Sequence, residues 1–221
     1  MGQNKNVMSL FRAFPKVDKV PEVEKAVAVH AQKYHTSDWK LRVWAIQSSA
    51  DANRYHITEG PLSWELIDGS GEISVEHNND WKKNAAVYLT DRCAASYSVY
   101  QDSLSTVALT DKINITLWVQ KIGWGDKVRD VIREMRRAWL AGGESVAVYT
   151  SSSSGPAYYT IITRYKQGLK ERTPGFRKPF KERYEAANGE YSFDNYLEVL
   201  REYLKESQSE LHFYRADLSS K

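Results

Sequence analysis

The chain carries five histidines, at positions 30, 35, 56, 77 and 212, and one cysteine, Cys93. Imidazole is the side chain most readily tuned for proton transfer near neutral pH, and it is a common metal ligand. His56 and His212 stand out. Each lies in an alternating, strand-like run, on the side that also carries aromatic and polar residues. They are candidate acid–base groups. No carboxylate pair at ligand spacing accompanies them, and Asp102 is the one acid assigned to the same face, so no metal ligand set is expected. His30 and His35 are five apart, not the i, i+4 spacing that puts two ligands on one helix face. His30 is expected to be a half-buried packing residue. His77 falls in a polar stretch and is given no role.

Other reactive patterns are weak or missing. Cys93 is expected on the last inward turn of a helix, with only Arg92 beside it to favour a thiolate. A single cysteine excludes an internal disulfide framework and a cysteine-based zinc site. The serine run 151–154 before Gly155 lacks the Gly-Lys-Ser/Thr ending of a phosphate loop and reads as a hairpin turn. There is no Gly-x-Ser-x-Gly elbow and no Gly-x-Gly-x-x-Gly fingerprint.

The elements that must position these residues follow from periodicity. Residues 7–14 read as a strand, and apolar residues at 20, 23, 27, 31 and 34 predict a helix. Residues 40–47 and 54–58 alternate as strands around a polar turn. Trp81, Ala85, Leu89 and Cys93 suggest a helix over 80–94, and 98–104 closes as a strand. The second half repeats the order, with a strand at 113–120, a helix at 126–140, strands at 145–150 and 157–166, a helix at 193–206, and a closing strand at 211–218. At an offset of 105, Val23 lies over Val128, Val27 over Ile132, Tyr34 over Trp139 and Val43 over Val148; at 114, residues 98–104 lie over 212–218. Two segments depart from this plan. Residues 60–79, including the turn Asp68-Gly69-Ser70-Gly71, are expected to add a hairpin, and 172–191 form a basic, Pro/Gly-punctuated excursion. Both are candidate lids.

Of 221 residues, 42% are hydrophobic, with 7 Trp, 14 Tyr and 6 Phe, and the net charge is only +3. This excludes a disordered chain. No apolar run reaches the ~18 residues of a membrane span. The N-terminal residues lack the apolar stretch of a secretory signal, so the expected location is cytoplasmic. The positive charge is concentrated after residue 110, around 129–137 and 164–183. Interleaved acids make a solvated helix face the simpler reading, and an anion- or nucleic-acid-binding role the less favoured one.

A β-α-β-β-α-β unit is the ferredoxin-like arrangement, an antiparallel sheet with helices on one face. Two in one chain can cover each other's open sheet face. In this, residues 7–219 resemble the dimeric α+β barrel superfamily in a fused, tandem form, including its antibiotic-biosynthesis-monooxygenase, Dabb and NIPSNAP-type families. The resemblance implies an α+β fold with two antiparallel sheets packed face to face as an intramolecular barrel and helices outside. Its units would span 7–109 and 110–221, in a monomer. It implies a small-molecule site between the sheets, monooxygenase-like, either cofactor-independent or haem-associated, for an apolar or aromatic ligand. On that reading His56 and His212 are the catalytic candidates, as acid–base groups or a haem ligand. Trp44, Tyr100, Trp118, Tyr149, Tyr159, Tyr214, Arg42 and Asn114 are the substrate-binding candidates. Phe11, Arg54, Thr58 and Thr116 are assigned to the same barrel-facing set. A non-catalytic ligand- or partner-binding barrel is the alternative, in which the aromatics simply fill the seam.

Overall fold

A computed structural model describes residues 4–36, 39–70, 73–106 and 110–221. The expected turn residue Gly71 and the expected unit boundary at 109 lie outside these. The fold is α+β. Eight antiparallel strands close into a barrel in the order β1-β3-β2-β8-β5-β7-β6-β4. By contacts the chain divides into a first unit, Met1–Val99 with Phe213–Lys221, and a second, Tyr100–His212.

The first unit contains β1 (Val7–Ala13), α1 (Val20–Tyr34), β2 (Leu41–Ile46), β3 (Tyr55–Leu62), α2 (Trp64–Ser70), α3 (Val75–Asp80) and β4 (Ala94–Tyr100), whose last residue belongs to the second unit. β1 is central, pairing antiparallel with β3 and β4, and β2 pairs with β3. Pro21 is the second residue of α1, in the first turn, where its missing N–H costs nothing. The apolar stripe then places Val23, Val27 and Ala31 on the sheet. They pack against Leu41, Val43, Tyr55 and Ile57, with Leu89 and Leu218 completing the core. Each such aliphatic side chain contributes about 1.5–3 kcal/mol by leaving water. Gly60 has φ +122°, and a Cβ there would meet the Val7 carbonyl oxygen at 2.9 Å, so only glycine fits this bend of β3.

Two expectations for this unit are corrected. Residues 60–79 add helices α2 and α3, not a hairpin. The helix expected over 80–94 is three pieces: the end of α3, a wide π-helical turn at Trp81–Ala85 and a 3-10 turn at Ala86–Tyr88. Leu89 then bridges Pro15, and Thr90 N–H donates to the Phe14 carbonyl, so the chain is already extended before Cys93. Four-residue spacing persisted in the sequence although the backbone pairing ended the helix.

The second unit contains β5 (Lys112–Gln120), α4 (Gly125–Ala141), β6 (Ser145–Ser152), β7 (Tyr158–Arg164), α5 (Phe180–Asn188), α6 (Ser192–Tyr203) and β8 (Leu204–Tyr214), whose last two residues belong to the first unit. α4 buries Val128, Val131, Ile132, Met135, Ala138 and Trp139. These pack on Trp118, Val146, Val148, Tyr159 and Ile161, with Tyr184 of α5 and Val199 of α6. The basic excursion therefore supplies a core helix. α6 ends at Tyr203, not 206, and the closing strand starts at once at Leu204.

Strand faces also need correction. Phe11 meets Trp81 edge-on at 5.7 Å and belongs to the helix side of its sheet. Trp118 and Tyr159 are paired in register within the core formed with α4. Asn114 and Thr116 share Trp118's side of β5 by alternation. The sequence pattern places all five away from the helices. Alternation sets a period of two but carries no label for which face is which. β5 is apolar at 113, 115, 117 and 119, so the usual hydrophobic-in rule pointed the wrong way.

Candidate functional site

The fold brings three histidines together in the first unit. His30 lies on the buried stripe of α1 and is 1% exposed. His35 sits one residue beyond α1, where the chain has left helical geometry (φ −107°, ψ 51°), so helical spacing no longer governs its ring. His77 lies in α3, whose N-cap Ser74 Oγ accepts from the His77 backbone N–H at 3.1 Å. One ring nitrogen from each histidine lies within 4.8 Å of the other two. His35 and His77 approach Nε2 to Nε2 at 3.3 Å.

Every Nδ1 in the cluster meets an oxygen. His30 Nδ1 is 2.8 Å from Asp80 Oδ2, His35 Nδ1 is 2.7 Å from the Trp39 carbonyl, and His77 Nδ1 is 2.9 Å from Asn78 Oδ1. Asp80 is itself steadied by Asn84 Nδ2 at 2.9 Å. Burial pushes His35 down to about 4, against the opposing pull of the Trp39 carbonyl. Burial also lowers His30, outweighing Asp80. Burial raises Asp80, but the bonds from His30 and Asn84 more than offset it, and the carboxyl ends lower than usual.

Beside this cluster, between the sheet and the α1/α3 side of the first unit, lies a cavity of about 410 Å³. Phe11, Leu41, Ile57 and Trp81 form much of its wall, and His30, His77 and Glu59 are among its polar groups. Glu59 is pushed above the usual carboxylate range by burial, against the hydrogen bond it accepts from Trp39 Nε1 at 3.0 Å. Trp39 thus touches both Glu59 and His35, one through its indole and the other through its carbonyl.

Sequence reading gave no role to His77 and a packing role to His30, and it assigned no metal ligands. The available signals were local. Ser74-x-x-His77 is an N-cap spacing, and the end of the apolar stripe at Tyr34 frees His35 from helical geometry.

Among the residues singled out, His56 is 9% exposed on β3, in register with Arg12 of β1 and Trp44 of β2. Trp44 packs on Tyr214 at 5.1 Å between ring centroids. Arg42 Nη1 donates to the Gly60 carbonyl at 2.7 Å. In the second unit Tyr100 packs on Tyr149 at 5.4 Å, and His212, fully buried, has Nε2 3.0 Å from Glu210 Oε2. Asn114 Nδ2 donates to Thr116 Oγ1, and its Oδ1 accepts from Arg172. Tyr159 donates to the Gly125 carbonyl at 3.4 Å. Cys93 is half-buried, its Sγ accepting from the Phe14 N–H at 3.4 Å. The basic second half is largely committed within itself. Arg129 pairs with Asp126, Arg133 with Asp130, Arg177 with Glu171 and Arg183 with Glu144. Arg136 donates to the Ser105 carbonyl and Arg137 to Asn188. No helix among the described residues is long and apolar enough to cross a membrane.

Solved structures with an α+β barrel fold resemble this chain. A candidate monooxygenase from Lactobacillus acidophilus superposes with a TM-score of 0.58 at 11% identity, covering 97% of this chain and 95% of that one. A candidate monooxygenase from Fusobacterium nucleatum gives 0.60 at 12% identity, covering 94% and 91%. A mutant chlorite dismutase from Candidatus Nitrospira defluvii gives 0.55 at 9% identity, covering 99% and 94%. No family profile and no curated protein matches the sequence. At these identities the likeness establishes the fold.

Haem is a poor match to the histidines expected to hold it. His212 is fully buried with Nε2 directed at Glu210, so its metal-binding edge is already taken up by a carboxylate. His56 stands between Arg12 and Trp44, one strand spacing (~4.8 Å) to either side.

Proposed function

We propose that this chain binds a small apolar or aromatic molecule in the cavity of the first unit and acts on it in a monooxygenase-like manner. The observation that carries the reading is the cavity. Its volume of about 410 Å³ falls in the range usual for ligand sites, and its wall is mostly apolar with a few placed polar groups. Glu59 is the proposed proton acceptor, because a buried carboxylate of raised pKa is a stronger base than a solvated one. A substrate methylene flanked by aromatic rings would give up its proton to Glu59, and its carbanion would take up O₂. Loss of water from the resulting peroxide leaves a carbonyl. One CH₂ and one O₂ become one C=O and one H₂O, and the electrons come from the substrate.

A second reading rests on the opposite strand face of the first unit, where Arg12, His56 and Trp44 stand in register and Tyr214 packs on Trp44. There His56 would be the acid–base group and Trp44, Arg42 and Tyr214 the substrate contacts.

Oxygen uptake with a panel of anthrones and quinols separates the two. Ala95 lines the cavity, so Ala95→Leu narrows it. The first reading expects Glu59→Gln to abolish uptake and Ala95→Leu to lower it while His56→Ala retains it. The reverse result selects the strand face. A flat oxygen trace from the wild type across the panel sinks both.

A further inference from the structure

We propose that His30, His35 and His77 form a binding site for one divalent first-row transition ion, with Zn²⁺ the best match. It is independent of the proposed oxygenation, although His30 and His77 line the same cavity, and it needs no organic ligand.

Distance is the first argument. Zinc–imidazole bonds of about 2.0–2.1 Å at a tetrahedral angle put neighbouring ligand nitrogens about 3.3–3.4 Å apart. His35 and His77 Nε2 are 3.3 Å apart, and one nitrogen of His30 lies within 4.8 Å of both. Because His30 Nδ1 is bonded to Asp80, its Nε2 is the atom left to coordinate.

The outer contacts are the second argument. A metal-bound histidine usually donates its other ring N–H to a carboxylate, a carbonyl or water, which fixes ring orientation and tautomer. Here the three partners are the Asp80 carboxylate, the Trp39 carbonyl and the Asn78 side-chain oxygen. A backbone carbonyl can only accept, so His35 Nδ1 carries the hydrogen and its Nε2 presents a lone pair. If His77 likewise donates to Asn78, two lone pairs face each other at 3.3 Å, and a cation between them relieves the repulsion.

The donor set chooses the ion. Three imidazoles suit zinc, copper, iron or nickel, not the oxygen-seeking Mg²⁺ or Ca²⁺. His30 and His77 also line the cavity, so the remaining coordination position would border a space able to admit water or a small ligand. Three protein ligands with an open fourth position is the pattern of catalytic, not structural, zinc.

The test uses untagged full-length protein stripped with a chelator, re-equilibrated with Zn²⁺ and analysed for metal content. One ion per chain is expected. Co²⁺ substitution should give the intense visible bands of a tetrahedral centre. His77→Ala should weaken binding at least ~100-fold, and Asp80→Asn about 10–100-fold through loss of ligand orientation. Because His77→Ala could unfold α3, the wild type supplies a second measure. Its melting temperature should rise by at least ~5 °C at a free Zn²⁺ concentration 100 times the Kd, and not with Mg²⁺. Sub-stoichiometric zinc in the wild type with no thermal shift overturns the proposal. So does a folded His77→Ala that binds as tightly. The cluster is then a hydrogen-bonded trio in which His77 donates to His35 through the opposite tautomer, with the Asn78 amide turned over.

Discussion

Replacing Asp80 by alanine removes the acceptor facing His30 Nδ1 and one partner of Asn84. The His30 side chain is 2% exposed, so its N–H cannot turn to water instead. A hydrogen bond to a charged group is worth about 1.5–3 kcal/mol, and a buried donor left unsatisfied costs a similar amount. The Asn84 bond is exposed and adds little. The expected loss is therefore about 2–3 kcal/mol. For a chain of this size that is about 4–12 °C in melting temperature. Asp80→Asn keeps an oxygen acceptor and should lose only about 1 kcal/mol. Urea unfolding of metal-free protein, followed by tryptophan fluorescence and circular dichroism together, reads both values. Trp81 lies 5.3 Å from His30 and reports locally. If Asp80→Ala falls within about 0.5 kcal/mol of the wild type, Asp80 does not hold His30, and the account of the cluster fails at its anchor.

Acid should loosen the first unit through His35. Its folded pKa of about 4 lies below the ordinary 6.5, so the unfolded chain takes up a proton that the folded one refuses. In metal-free protein, stability should fall as pH drops from 6.5 to 4, by up to about 3 kcal/mol, and His35→Gln should flatten that slope in pH-dependent urea melts. Asp80, whose pKa is likewise lowered by folding, adds a further loss only below about pH 4, where the unfolded carboxyl begins to take up its proton. Leu41→Ala, at a site 1% exposed in the first core, should cost about 2–5 kcal/mol by chemical denaturation. Gly60→Ala should cost about 1–3 kcal/mol, since an L side chain must take φ +122° and press on the Val7 carbonyl; an unchanged melting temperature would refute the strain. Tyr184→Phe should destabilise the second unit by about 1.5–3 kcal/mol in urea melts, because the fully buried ring donates its hydroxyl to Glu134.

Periodicity made the architecture legible. The helix stripe at Val23, Val27 and Ala31, its counterpart at Val128, Ile132 and Trp139, and the alternation at Leu41 and Val43 all lie where the pattern put them. These signals are local and repeat many times, so a single ambiguous residue does little harm. Strand faces were less legible. Trp118, Tyr159, Asn114 and Thr116 fall on the opposite side from the pattern's expectation, because the continuous apolar row of β5 at 113, 115, 117 and 119 is the one that α4 does not cover. Composition cannot say which row a helix will cover.

The histidine cluster was the least legible part. His30 and His77 are 47 positions apart in the sequence, and β2, β3 and α2 intervene. Amino-acid order alone determined an α+β chain with two apolar-striped units and one thiol too few for an internal disulfide. Tertiary structure decided that the turn of chain after Tyr34, the Ser74-capped helix and the buried stripe of α1 converge, so that three imidazoles spaced for no local motif share one small volume. Local propensity acts over a few residues, whereas a ligand set is defined by distances through space, which only the packing of α1 and α3 supplies.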